Sequence, residues 1–161
     1  GALITQLSLI TNPHVVFPIY RLAPENPFPA AIEDALATYK NLLEAGTNPN
    51  EIFVAGDSAG GGLTLALLQK IKSEELPMPS CAIVISPWTD LTLSGNSIQE
   101  RGHRDPMIKP GPAMQVTVNA YCGGEDASNP LISPLFADYK DMPPIQIQVA
   151  SEETILSPIH I

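Results

Sequence analysis

Basic residues are scarce in this chain. Eight Lys and Arg stand against 17 Asp and Glu, a net charge of −9 over 161 residues with no basic cluster. Such a surface gains nothing from phosphate contacts or counterion release, which argues against nucleic acid and anionic lipid surfaces as partners and mildly disfavours an anionic substrate. Cysteine is almost absent: Cys81 and Cys122 make no CxxC pair and no secreted-type disulfide framework, and free thiols are expected. The three histidines, His14, His103 and His160, are scattered, so no metal site is expected. No apolar run approaches the ~18 residues of a membrane helix, and no span is expected. Repeats and low-complexity segments are also lacking.

What is present reads as a folded domain. Apolar residues make up 44% and charged residues 16%, a globular rather than a disordered composition. The 17 prolines fall mostly between the apolar runs, as loop punctuation should. The chain opens at Gly1 directly into ALITQLSLI, with Leu3, Leu7 and Ile10 at helical spacing. That opening suggests missing upstream sequence, so the lack of a leader is silent about compartment; a cytoplasmic location is favoured, and the oligomeric state is not legible.

Helices and short strands alternate along the chain. A helix is expected near 2–11, a strand at 14–20 (HVVFPIY), a helix near 30–45 ending at Gly46, and a strand at 51–56 (EIFVAG). A helix from Ser58 to Ser73 follows, then a strand at 81–86 (CAIVIS). Residues 87–144 form a long connection with a helix around 112–121, expected to serve as a lid or pocket wall. The last strand is IQIQVA at 145–150, whose alternating glutamines suggest one wetter face. HVVF, IFVAG and CAIVI are continuous apolar runs, which points to an α/β fold: a mostly parallel sheet with helices on both faces. Loops leaving the strands at Arg21, Gly56, Pro87 and Ser151 would then share one edge of the sheet, where α/β sites form.

At that edge stands FVAGDSAGGG, residues 53–62. G-x-S-x-G alone is a weak signal, but here it follows a β-branched strand and opens a Leu- and Ala-rich helix, the arrangement of a nucleophile elbow. Ser58 must take a strained backbone for its Oγ to project above the sheet, and side chains at Gly56 or Gly60 are expected to collide where strand and helix pass closely. The helix start would place the Ala59 N–H as an oxyanion donor. The plainer alternative is a glycine-rich turn in which Ser58 merely caps the helix.

GDSAGGGL, with YRLAPENPFPAAIED upstream and SPWTDL, GGEDASNPLISPLFAD and PPIQIQVAS downstream, resembles the hormone-sensitive-lipase-like branch of the α/β-hydrolases, also called the fold-3 group of bacterial esterases. The resemblance covers nearly the whole chain. It implies a partial α/β-hydrolase fold and hydrolysis of small carboxylic esters of short to medium acyl chain, without metal or cofactor. It makes Ser58 the nucleophile. Asp57 beside it and Trp88 in SPWTDL become candidates for the substrate pocket, although Trp88 reads equally well as a core residue under the long loop. Arg21 and Asp34 are expected to brace their loop.

The acid should follow the last strand, in the order serine, acid, histidine. Aligning Glu153-Thr154-Ile155 with the family's acid-x-apolar pattern selects Glu153, with glutamate in place of the commoner aspartate; Glu152 is the alternative. The family's histidine lies a few tens of residues beyond its acid, and His160 is too near Glu153 to match it. His14 and His103 match no catalytic position. An HGGG-type oxyanion loop is missing as well. The expectation is an incomplete hydrolase domain over 1–161, weakly active or inactive alone; a non-catalytic binding protein on the same fold is the second reading.

Overall fold

The computed structural model describes residues 5, 6, 9 and 14–156. The helix expected near 2–11 therefore lies largely outside the described residues.

Two helices and three strands build the framework: α1 (Ala30–Glu44), β1 (Phe53–Asp57), α2 (Ala59–Ser73), β2 (Cys81–Ile85) and, far along the chain, β3 (Ile145–Gln148). Between β2 and β3 the long connection carries α3 (Asn96–Arg101), α4 (Pro112–Cys122) and a 3-10 turn at Pro134–Phe136. α1 buries Ile32, Leu36 and Tyr39, a helical stripe. It stops at Gly46, which sits at φ +86° while its N–H and that of Thr47 donate back to Leu43 and Leu42. α2 is apolar nearly all round and burial is complete at Leu65, Leu68 and Ile71. It packs on β1 and β2 on one side and α1 on another. Ala35, Leu36, Tyr39, Ile52, Leu67 and Ile71 form the core between the helices and the sheet.

The sheet is parallel, in the order β1-β2-β3, with Gly56 opposite Val84 and Val84 opposite Ile147. That register gives its faces different fates. Val54, Gly56, Ala82, Val84, Ile145 and Ile147 share the face that α2 covers. Phe53, Ala55 and Asp57 on β1 and Gln146 and Gln148 on β3 point the other way and are exposed. The wetter face expected for the last strand is thus observed.

One expected strand is not. Residues 14–20 form no strand, and Val15, Val16, Phe17 and Ile19 are exposed. A strand exists only where a ladder pairs its N–H and C=O groups, and among the described residues β1 pairs only with β2. Pro18 also lacks a donor. Hydrophobic pattern without a partner does not make a strand.

Candidate active site

β1 and α2 meet at Ser58, whose backbone stands at φ 54°, ψ −118°. A residue with a β-carbon takes that conformation at a cost of order 1–3 kcal/mol, which the surroundings must offset. Three hydrogen bonds hold it: the Ser58 N–H donates to the Ile85 carbonyl (2.9 Å), and its carbonyl accepts from Gly62 (3.1 Å) and Trp88 (3.0 Å). The Ser58 side chain caps no helix N–H, so the helix-cap alternative falls. Ala59 is the first residue of α2, and no preceding helical carbonyl is available to its N–H.

The glycines around it divide unexpectedly. A β-carbon on Gly56 would lie 2.1 Å from the Gly60 carbonyl oxygen and 2.6 Å from Thr64 Oγ1. One on Gly60 would meet nothing within 4 Å, which corrects the expected collision there. The close approach runs through the backbone of Gly60, whose own Cα faces open space. The crowding lies further along: a β-carbon on Gly61 would fall 2.8 Å from Pro87 Cβ, and one on Gly62 2.3 Å from the Trp88 carbonyl oxygen. Glycine at 61 and 62 lets the loop after β2 close over the start of α2. The GGG run was the signal for this in the sequence.

Trp88 stands between a core cluster and a cavity. It packs against the cluster of Leu91, Val118, Cys122 and Ile132, and it lines a cavity of about 490 Å³. Its indole N–H donates to the Asp90 carbonyl at 2.9 Å. Ala59, Leu63, Val118 and Tyr121 also line this mostly apolar cavity. Burial pushes the Tyr121 phenol up to about 12, with the neighbouring Cys122 and Tyr20 adding to the rise, so it stays neutral. Arg21 reaches the same wall with its charge engaged by Asp34 (2.8 Å) and Glu33 (3.2 Å). Its bracing role is as expected, and the hydrogen bonds to Arg21 hold the Asp34 carboxyl below its usual range. Asp57 ends β1 on the exposed face and is not among the residues lining the cavity.

Beyond β3 the two candidate acids separate. Glu152 is exposed and pairs with Arg104 at 3.1 Å. Glu153 turns inward: its Oε1 accepts from Ser86 Oγ at 2.6 Å and from the Ala150 N–H at 3.1 Å. Its Oε2 is buried and has no hydrogen-bond partner among the described residues. Ser86 was not anticipated. It follows β2 at φ 42° and donates its N–H to Gln148, tying the ends of β2 and β3 together. His103 is exposed and accepts a hydrogen bond from Arg104. Neither His103 nor His14 bonds to Ser58 or Glu153, and His160 lies outside the described residues. No group of metal-ligating side chains occurs among the described residues, and no described helix is long and apolar enough to cross a membrane.

Comparison with known proteins agrees with this geometry. A family profile described as alpha/beta hydrolase fold matches residues 1–158. The chain is 43% identical over 136 residues to an acetyl-hydrolase of Streptomyces hygroscopicus, covering 84% of this chain and 45% of that protein. It is 37% identical over 156 residues to an esterase of Acinetobacter venetianus, covering 96% of this chain and 51% of that protein. The crystal structure of EstE5 soaked with ethyl alcohol superposes with TM-score 0.84 at 47% identity, over 86% of this chain and 47% of that one. An esterase of the bacterial hormone-sensitive lipase family superposes with TM-score 0.83 at 40% identity, over 86% of this chain and 46% of that one. The chain spans about half the length of these relatives.

Proposed function

The chain belongs to the alpha/beta hydrolase fold family, among relatives that are esterases and lipases, and from that premise we propose that its gene product hydrolyses small carboxylic esters through Ser58. The observation that carries the proposal is the strained, non-capping Ser58, held by backbone bonds to Ile85, Gly62 and Trp88 beside an apolar cavity. Strain kept at so well-braced a position has a use in presenting Oγ to a substrate.

In this reading Ser58 Oγ attacks the ester carbonyl carbon and gives its proton to a histidine base. The tetrahedral oxyanion accepts from the Ala59 N–H. The C–O bond to the alcohol then breaks, the alcohol leaves with the proton, and water cleaves the acyl-enzyme by the same steps. Glu153 is the acid that orients the base. A buried carboxylate oxygen without a donor is costly, and Oε2 of Glu153 supports the reading as the acceptor for the ring N–H of a histidine that follows the acid in chain order. Trp88 and the cavity of about 490 Å³ would take the acyl chain, a size suited to short and medium chains.

The test is fluorophosphonate labelling and p-nitrophenyl butyrate hydrolysis by the gene product carrying this sequence in full. Stoichiometric adduct on Ser58, with both adduct and turnover lost in Ser58→Ala, is the expected result. Saturable binding of the ester without adduct or turnover would overturn catalysis in favour of the binding-protein reading.

A further inference from the structure

The residue after Glu153 is held from three sides. Thr154 is fully buried, and its backbone N–H, backbone carbonyl and hydroxyl are all engaged by one stretch of the long connection. The N–H donates to Asp105 Oδ2 at 2.9 Å, the hydroxyl donates to the Ile108 carbonyl at 2.9 Å, and the carbonyl accepts from Ser97 Oγ at 2.6 Å. Asp105 is itself buried, and its Oδ1 accepts from the N–H groups of Met107 (2.8 Å) and Ile108 (2.9 Å). One carboxylate therefore closes its own loop with one oxygen and grips the turn after β3 with the other.

We propose that Asp105 is the positioning residue of the acid: by holding the Thr154 N–H it fixes the backbone from which the Glu153 carboxylate projects. The inference rests on the reading of Glu153 as the acid. Chemistry at Asp105 favours an ionised group, because only a carboxylate offers acceptors on both oxygens while carrying no donor. Burial raises its pKa, but the Ile108, Thr154 and Met107 N–H groups outweigh that and bring it to about 2. Asparagine has the same shape and one acceptor oxygen fewer. With its oxygen kept on Met107 and Ile108, its NH₂ faces the Thr154 N–H, donor against donor. The stretch from 96 to 109 thus serves the acid, while 112–132 serves the cavity wall.

The experiment measures kcat and KM for p-nitrophenyl butyrate in the full gene product, per active site titrated with fluorophosphonate. Asp105→Asn is expected to lower kcat per titrated site by roughly 10–100-fold, as loss of an orienting partner behind a functional group does, with KM within about twofold. Ser97→Ala, which loosens Thr154 from its carbonyl side, is expected to lower kcat about fivefold, the worth of one hydrogen bond. A merely structural role would reduce the titratable fraction and leave kcat per site unchanged. Wild-type kcat per site in Asp105→Asn overturns the inference; should that variant not fold, wild-type kcat per site in Ser97→Ala does so. Glu153→Gln run alongside separates the two failures: unchanged kcat there removes the acid assignment itself, whereas its collapse beside a normal Asp105→Asn removes only the clamp.

Discussion

The serine turn and the acid turn reach the same edge of the sheet by opposite means. At Ser58 the geometry is imposed by backbone against backbone: Gly56 under Gly60, Gly62 under Trp88, and three main-chain hydrogen bonds. At Glu153 it is imposed by side chains from far along the chain: Ser86 on the carboxylate, Asp105 and Ser97 on the next residue. Steric fixing is all-or-none, since atoms 2 Å apart cannot both stay. Hydrogen-bond fixing is graded, because each partner removed loosens the turn a little. The first design is robust to pH; the second contains a titratable group.

Breaking the serine turn should therefore give the largest effect. Gly56→Ala is expected to cost about 3 kcal/mol in chemical denaturation, because neither the Gly60 carbonyl nor Thr64 can yield without shifting α2. A cost below about 1 kcal/mol would mean that the strand and helix have more slack than their separation implies. On the acid side Ser86→Ala should cost about 1.5 kcal/mol, the worth of a hydrogen bond to a charged group. Among the described residues Glu153 Oε1 would keep only the Ala150 N–H, and kcat should drop about tenfold. An unchanged kcat would detach Ser86 from the acid.

The pH contrast is smaller. The Asp105 pKa, lowered from 3.8 to about 2 in the fold, makes ionised Asp105 stabilising above its unfolded value. That contribution is lost as pH falls through about 4 toward 2. Asp105→Asn should lose less melting temperature over this interval than the parent does; parallel curves would contradict the assignment. Smallest of all is Gly60→Ala. Its new methyl meets no atom within 4 Å, so stability should stay within about 0.5 kcal/mol, helped by helix propensity. A loss like that of Gly56→Ala would put the crowding back where the motif suggested it.

The two turns also differ in how far they could be read from the sequence. A steric turn writes itself into contiguous residues, so VAGDSAGGG announced strand, bend, serine and helix together. Even so, the motif could not say which glycine is crowded, because the atoms that Gly61 and Gly62 approach belong to Pro87 and Trp88 on another loop. The clamp on Thr154 joins residues 46 to 57 positions apart, and nothing in an isolated aspartate marks its partner. Glu153 was separable from Glu152 only by pattern, until burial and Ser86 distinguished them. HVVFPIY forms no strand for a related reason: a continuous apolar run states a willingness to pair, and the partner is not written in the segment itself.

Trp88 is the only tryptophan in the chain. Its backbone N–H donates to the Ser58 carbonyl and Trp88 borders the cavity, so the indole emission of this chain originates within one residue's reach of the Ser58 turn. The protein thereby carries a native optical probe. In this chain, a change in the intensity or wavelength of the Trp88 emission on adding an ester or an acyl-enzyme-forming inhibitor would report events at this cavity without an attached label.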